Sequence, residues 1–286
     1  MRLDEPRPHV VIIGGYLTEP LFYGPMRKRL LARGALRVTI AGLHEPDWLA
    51  AAFAGFGPAL LRGARAIREA RHEAPDPLIV VGHSAGGIVA RLAMSPAPLD
   101  GRHVGVADDV GCLATLGTPH SLRPHRPWWE HAGQRATRFL ERTTPGAWFA
   151  PATGYVTVGS VAVPPRGQDP APPPKQLLNR LLTSFVGPTS SVGGDGIVTD
   201  DLARLPGARH VTLHDSLHGT FGGPWYGDGH VMDSWWPVVV EEWRAALEAR
   251  VRLRAAPVTP SELVAPPELA SPPDPGTPAS HQVSAG

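Results

Sequence analysis

Short apolar runs alternate along the chain with longer segments whose apolar residues recur at helical spacing. The runs predict strands at residues 10–13, 37–40, 78–81, 110–116, 155–161 and 210–213. Several of them are apolar at nearly every position, which is typical of parallel strands covered on both faces. The longer segments predict helices at residues 21–33, 49–73, 85–94, 174–186 and 234–253. This alternation predicts an α/β fold with a doubly wound, mostly parallel sheet.

Three segments depart from the alternation. Residues 119–150 are long, basic and rich in Trp, and we interpret them as a helical cap or lid inserted into the fold. Residues 164–174 contain six prolines in eleven residues and predict a loop. Residues 255–286 contain eight prolines and no Phe, Trp or Tyr, which predicts a disordered tail. The sequence therefore predicts one domain over residues 1–254, followed by this tail.

Composition narrows the class of protein. Of the 286 residues, 42% are apolar and 19% are charged, so the chain can bury a large core. The net charge of +1 is unlike the basic footprint of a nucleic-acid-binding protein, and we expect no nucleic-acid partner. The single cysteine, Cys112, excludes a disulfide within the chain. The first apolar run, "VVII", is too short for a signal peptide or a membrane span, so we expect a soluble, cytoplasmic protein.

The stretch "VVGHSAGG" carries the strongest chemical signal. Gly82, Ser84 and Gly86 form a G-x-S-x-G pattern that follows a predicted strand and opens a predicted helix, which is the setting of a nucleophile elbow. In such a tight bend, side chains at positions 82 and 86 are expected to collide with the serine. The N–H of Ala85 then lies at a helix N-terminus, suited to an oxyanion. A chance match or a phosphate-binding turn is the alternative, but the lysine of a P-loop and G-x-G-x-x-G spacing are missing.

A serine hydroxyl needs a base, and the base needs a carboxylate to orient it. In this architecture the chain order is serine, acid, histidine. His218 follows the last predicted strand in a loop with Gly219, and we predict it as the base. His230 and His214 stay open as alternatives.

The acid should lie between the serine and this histidine. Asp195 is flanked by glycines in a predicted turn, where backbone donors can fix its carboxylate, and we predict it as the acid. Asp200 and Asp201 precede a short helical stretch and are interpreted as capping acids. Asp215 is interpreted as a turn residue.

The loop after the first strand begins with Gly14 and Gly15, whose small size allows a close approach to a ligand. The N–H of Tyr16 is predicted as the second oxyanion donor, with Leu17 as the alternative; a simple turn is the other interpretation. His83 is interpreted as a structural neighbour of the site. Candidate substrate contacts are Leu17, His83, Trp128 and Trp129.

Four segments resemble the α/β-hydrolase superfamily, specifically bacterial triacylglycerol lipases and carboxylesterases. They are "VVIIGGYL", "VVGHSAGG", "CLATLGTPH" and "GDGIVTDDLARLPGARHVTLHDSLHG". The resemblance covers roughly residues 8–120 and 150–250. It implies acyl esters as substrates, with Asp195 and His218 on the positions of the catalytic acid and base. Many lipases have His-Gly where this chain has Gly14 and Gly15, so the oxyanion loop is expected to differ.

The predicted function is therefore hydrolysis of carboxylic esters by Ser84, Asp195 and His218 through an acyl-enzyme. The substrate is a small-molecule or lipid ester, and neither a cofactor nor a metal is expected. A thioesterase, an amidase or an acyltransferase would use the same residues, and a non-catalytic binding module is a further alternative. Aromatic side chains such as Trp128 and Trp129 would line an acyl pocket, meet a lipid surface, or pack as ordinary core. The oligomeric state stays open.

Overall fold

The protein was analysed as a computed structural model, which describes residues 6–16, 18–53, 55–122, 132–165, 192–220 and 222–255. In these residues six strands form one sheet in the order β2-β1-β3-β4-β5-β6, and every neighbouring pair is parallel. The strands are β1 His9–Ile13, β2 Arg37–Ile40, β3 Leu78–His83, β4 Val110–Leu116, β5 Gly154–Ser160 and β6 Arg209–Leu213.

Helices cover both faces of the sheet. They are α1 Gly24–Ala32, α2 Glu45–Phe53, α3 Gly57–His72, α4 Ala85–Met94, α5 Ala132–Thr143 and α6 Gly229–Ala255, with short 3-10 helices at Pro20–Tyr23 and Ala107–Asp109. One core lies between the sheet and α1 with α6, and the other between the sheet and α2 to α5. The predicted doubly wound sheet is confirmed.

The alternation of side chains along β1 explains the two cores. Val10 and Ile12 pack into the core with α1 and α6, whereas Val11 and Ile13 pack into the opposite core. All four side chains are buried, as expected for a parallel strand between two helical layers.

The register brings the carboxyl ends of β1, β3 and β4 to one edge of the sheet. Ile13 lies opposite Gly82, and His83 lies opposite Leu116. The loop after β1 therefore runs beside the turn that follows β3. Open α/β sheets carry their sites at this edge.

Two predicted segments differ from the structure. The helix predicted over residues 49–73 is two helices, α2 and α3, because Gly55 adopts a φ of 103° and Pro58 occupies the first turn of α3. The predicted lid includes α5, whose residues Ala132, Ala136 and Leu140 are buried in the core with α2 and α4. The remainder of the lid prediction over residues 123–131, most of the 164–174 loop, the helix at 174–186 and nearly all of the tail lie outside the described residues.

Helix α6 is anchored to the amino edge of the sheet, opposite the site. The Arg250 guanidinium donates to four main-chain oxygens, those of Ala152 at 2.5 Å, Asp108 at 2.7 Å, Val110 at 2.8 Å and Ala107 at 3.5 Å. Trp243 Nε1 donates to the oxygen of Pro77 at 2.7 Å. These bonds fix α6 against the starts of β3, β4 and β5. In the described part of the chain, none of the helices combines the length and the apolar character needed to cross a membrane.

Candidate active site

Ser84 occupies the turn between β3 and α4 with φ of 53° and ψ of −127°. A positive φ is strained for a residue with a side chain, and such strain concentrates at functional sites. Neighbouring bonds hold the turn in place: the Ser84 N–H donates to Leu116 O at 2.9 Å, and Thr118 Oγ1 donates to Ser84 O at 2.9 Å. The geometry is that of the elbow predicted from the sequence.

The glycines of the turn are required by the backbone around it. A Cβ on Gly82 would lie 2.5 Å from Gly87 Cα, and a Cβ on Gly86 would overlap the main-chain oxygen of Ile13. The expected collisions with the serine are therefore wrong: the glycines make room for the start of α4 and the end of β1. Gly87 is also required, since a Cβ there would overlap Thr118. The second glycine of the pair in "GHSAGG" was the sequence signal that could have indicated this requirement.

The residue predicted as the base, His218, lies within hydrogen-bond distance of both the predicted nucleophile and the predicted acid. His218 Nε2 is 2.9 Å from Ser84 Oγ, and His218 Nδ1 is 2.7 Å from Asp195 Oδ2. The main-chain N–H of His218 also donates to the main-chain oxygen of Asp195 at 2.9 Å, so both main-chain and side-chain hydrogen bonds join the two loops. Asp195 is 1% exposed and His218 9% exposed, which shields the pair from water.

The Asp195 carboxylate accepts four hydrogen bonds. Oδ1 accepts the N–H groups of Ile197 at 2.9 Å and Val198 at 2.7 Å, and Oδ2 accepts the Tyr226 hydroxyl at 2.7 Å besides His218. Burial alone raises the pKa of Asp195, but His218 and the two N–H donors outweigh it and hold the pKa below its usual value. The carboxylate is therefore ionised at neutral pH.

Tyr226 is the residue of this group that the sequence analysis missed. Burial and the negative charge of Asp195 hold the pKa of Tyr226 well above its usual value, so its hydroxyl keeps its proton and donates it. Tyr226 lies eight residues after His218 in a stretch with no motif of its own, and nothing in the sequence indicates that it turns back to the acid.

The alternative acids and bases lie in other groupings. Asp200 is bound by His210 Nε2 at 3.0 Å and by Arg204 Nη2 at 2.7 Å. Burial raises the pKa of Asp200, but these two partners lower it to about 2. His230 forms an exposed pair with Asp215 at 3.5 Å. The structure thus contains a second buried Asp–His pair that involves neither Ser84 nor His218.

The predicted oxyanion donors belong to segments that flank Ser84. Ala85 is the first residue of α4, a position whose N–H has no acceptor within the helix. Tyr16 follows Gly15, and a Cβ on Gly15 would lie 2.8 Å from Ser84 Cβ, so this loop packs directly against the elbow. The alternative donor Leu17 lies outside the described residues, as do the predicted substrate contacts Trp128 and Trp129.

His83 has no free ring edge for a substrate. It is 2% exposed, its Nδ1 lies 2.8 Å from the Tyr23 hydroxyl, and its Nε2 lies 2.9 Å from His218 O. The predicted substrate contact at His83 is therefore wrong, because both ring nitrogens are already hydrogen-bonded to the protein. Its other interpretation, as a structural neighbour of the site, agrees with these contacts.

The described residues hold no group of three or more His, Cys, Asp or Glu side chains placed to bind a metal ion. His120 is buried with Nε2 at 2.9 Å from Thr115 Oγ1 and Nδ1 at 3.4 Å from Arg91 Nη1.

Comparison with known proteins adds the family context. A family model described as PGAP1-like alpha/beta domain matches residues 60–134, which include the elbow. The crystal structure of the Bacillus licheniformis lipase BlEst2 in mature form superposes with a TM-score of 0.55 at 18% identity, over 85% of this chain and 96% of that chain. The protein therefore has the α/β-hydrolase fold.

A second BlEst2 structure, in its propeptide form, shares the same fold with this chain. The TM-score is 0.52 at 19% identity, over 84% of this chain and 51% of that chain. No curated protein sequence gives a significant match. At these identities the comparisons establish the α/β-hydrolase fold, and the chemistry has to be argued from the site.

Proposed function

We propose that this α/β hydrolase cleaves carboxylic esters of small molecules or lipids through an acyl-enzyme on Ser84. One observation carries the proposal: Ser84, His218 and Asp195 form a continuous hydrogen-bonded chain that ends on a serine in a strained turn. The structural neighbour BlEst2, seen in two forms, is named a lipase, which agrees with ester chemistry.

The hydrogen bonds define how the nucleophile is activated. Because the Asp195 carboxylate can only accept, His218 carries its proton on Nδ1, and Nε2 is left with a lone pair. Nε2 lies 2.9 Å from Ser84 Oγ and takes the hydroxyl proton as the oxygen attacks the ester carbonyl. Asp195 then stabilises the imidazolium that forms.

The remaining steps use the same groups. The N–H groups of Tyr16 and Ala85 receive the negative oxygen of the tetrahedral intermediate, and the N-terminus of α4 adds a favourable dipole. The imidazolium of His218 protonates the alcohol as the ester C–O bond breaks. A water molecule, deprotonated by His218, then attacks the acyl carbon on Ser84. The bond from this carbon to Ser84 Oγ breaks, His218 returns the proton to Oγ, and the acid is released. No cofactor takes part in these steps.

Labelling by a fluorophosphonate tests the proposal. Folded wild-type protein should form one adduct on Ser84 and hydrolyse p-nitrophenyl esters, and Ser84→Ala should abolish both. Ser95→Ala is a matched control, because Ser95 is also buried and lies at the other end of α4. Failure of the folded wild type to react, or labelling that persists in Ser84→Ala, would overturn the proposal.

A substrate panel separates the related activities. Acyl chains of increasing length on p-nitrophenyl esters define the acyl preference, and acyl thioesters and anilides of the same acids test the alternative bonds. We expect esters to give the highest kcat/KM. Higher kcat/KM on thioesters or anilides would move the protein to the thioesterase or amidase class with the same three residues.

A further inference from the structure

A network through the buried side chain of His83 joins the loop after β1 to the loop that carries the proposed base. His83 Nε2 lies 2.9 Å from His218 O, and His83 Nδ1 lies 2.8 Å from the Tyr23 hydroxyl oxygen. The same Tyr23 oxygen lies 2.8 Å from the nitrogen of Gly15. Tyr23 is 1% exposed and His83 2%, so both side chains lie inside the protein.

Each hydrogen bond of this network has one direction. A carbonyl oxygen only accepts, so His83 Nε2 carries a proton and donates it to His218 O. Burial, reinforced by the neighbouring His218, lowers the pKa of His83 to about 3, so the ring is neutral and Nδ1 accepts. Burial raises the pKa of Tyr23 to about 12, so its hydroxyl keeps its proton and donates it to Nδ1. The Tyr23 oxygen then accepts the Gly15 N–H.

One end of the network contacts the loop of the proposed oxyanion donor, and the other end contacts the proposed base. Gly15 packs against Ser84 and directly precedes Tyr16, whose N–H is the proposed oxyanion donor. The other end holds the main chain of His218, the proposed base. A displacement of about 1 Å in such a site can cost about 100-fold in rate, so the separation of these two loops is critical for catalysis.

We propose that His83 is a positioning residue, which fixes the oxyanion loop relative to the base through its hydrogen bonds to Tyr23 and His218. The proposal rests on the function proposed above. Both ring nitrogens of His83 are bonded within the protein, and its ring lies 4.9 Å from the His218 ring, so it acts on the base rather than on the substrate. Its replacement should therefore lower kcat and leave KM close to the wild-type value.

Substitutions at His83 test the proposal directly. His83→Leu has a similar volume but neither donor nor acceptor, and we expect kcat to fall about 10- to 100-fold with KM changed by less than about 2-fold. His83→Gln offers an N–H close to the position of Nε2 and should return kcat to within about 5-fold of wild type. Active sites are titrated with fluorophosphonate, and kcat is calculated from their concentration. Unfolded protein therefore does not lower the measured kcat.

Tyrosine variants keep the test informative if His83→Leu does not fold. Tyr23→Phe removes only the hydroxyl and should lower kcat by about 10-fold. Tyr155→Phe is its matched control, because Tyr155 is also buried and also accepts one main-chain N–H, in β5 away from the site. Because Tyr23 and His83 act in one network, the kcat of the double variant His83→Leu/Tyr23→Phe should be only slightly below that of the less active single variant.

Amide hydrogen exchange supplies a readout that needs no turnover. His83→Leu should speed exchange at the Gly15 N–H by at least about 10-fold, although His83 makes no hydrogen bond to that N–H, while exchange at Val80 in β3 stays unchanged. Wild-type kcat in His83→Leu and Tyr23→Phe, additive losses in the double variant, or unchanged exchange at Gly15 would overturn the positioning role. A wild-type protein that does not label at Ser84 would instead overturn the proposed function, and the exchange result would still decide whether the network holds the loops.

Discussion

Asparagine at position 195 should trap His218 in the wrong tautomer. The Asp195 carboxylate receives two backbone N–H groups on Oδ1, and the Tyr226 hydroxyl and His218 Nδ1 on Oδ2. Because backbone N–H groups cannot accept, an asparagine must turn its carbonyl oxygen toward them. Its NH₂ then faces His218 Nδ1, which has to accept, and the imidazole proton moves to Nε2. Nε2 then has no lone pair for the proton of Ser84.

The size of the effect follows from the loss of general-base catalysis at Ser84. Triad carboxylates replaced in this way lower kcat by about 10⁴-fold. At 1.36 kcal/mol for each factor of ten, this loss is about 5.4 kcal/mol of transition-state stabilisation. The side-chain volume hardly changes, so the protein should fold and KM should stay near its wild-type value.

Hydrolysis of p-nitrophenyl esters by Asp195→Asn measures this loss, and Asp200→Asn is the matched control. Asp200 is also a buried carboxylate on a histidine, but its partner is His210 and its hydrogen bonds do not reach Ser84. We expect Asp200→Asn to keep kcat within about 3-fold of wild type. Similar losses in the two variants, or more than a tenth of wild-type kcat in Asp195→Asn, would refute the tautomer argument.

Three further predictions concern the support of the site and the fold. Tyr226→Phe removes one hydrogen bond to the Asp195 carboxylate, so urea unfolding should show a loss of about 1.5–3 kcal/mol. An unchanged free energy of unfolding would contradict this role. Gly86→Ala drives a Cβ into the end of β1 and should lower the free energy of unfolding by about 3 kcal/mol, whereas Gly24→Ala, whose Cβ meets nothing within 4 Å apart from its chain neighbours, should change it by less than about 1 kcal/mol. Because the pKa of Asp200 is lowered from 3.8 to about 2, its contribution to stability is complete above pH 4 and is lost as the pH falls toward 2. The difference in unfolding free energy between wild type and Asp200→Asn should therefore shrink over that range, and a constant difference would speak against the pairing.

Much of the fold is predictable because its signals are local. The inner strands β1, β3 and β4 are buried on both faces, so runs such as residues 78–81 are visible without knowledge of their partners. The elbow is visible because a tight strand-to-helix turn demands Gly82 and Gly86 around the serine. Asp195 and His218 are then chosen from the serine, acid, histidine chain order of this architecture and from the rule that sites of open α/β sheets lie on the loops after the strands.

The remaining features depend on contacts between distant segments. Tyr23 and His83 are 60 positions apart, and Tyr226 and Asp195 are 31 positions apart, so no spacing in the sequence connects them. The division between α2 and α3 had a local signal in "GFGP", but the continuous apolar pattern on both sides of it favoured one long helix. Composition could not show whether α5 is a core helix or a lid helix, because both kinds of helix carry apolar residues at helical spacing.

The hydrogen bonds of Arg250 to the main chain separate the edge of the sheet that holds α6 from the edge that carries the proposed site. The guanidinium secures the amino edge of the sheet, whereas the strained Ser84 and its partners lie at the carboxyl edge. Loops at the carboxyl edge can therefore be exchanged to alter specificity, because the hydrogen bonds that hold α6 at the amino edge are not affected. Stabilising changes around α6 would widen the range of loop sequences that the scaffold tolerates, because most new substitutions lower stability.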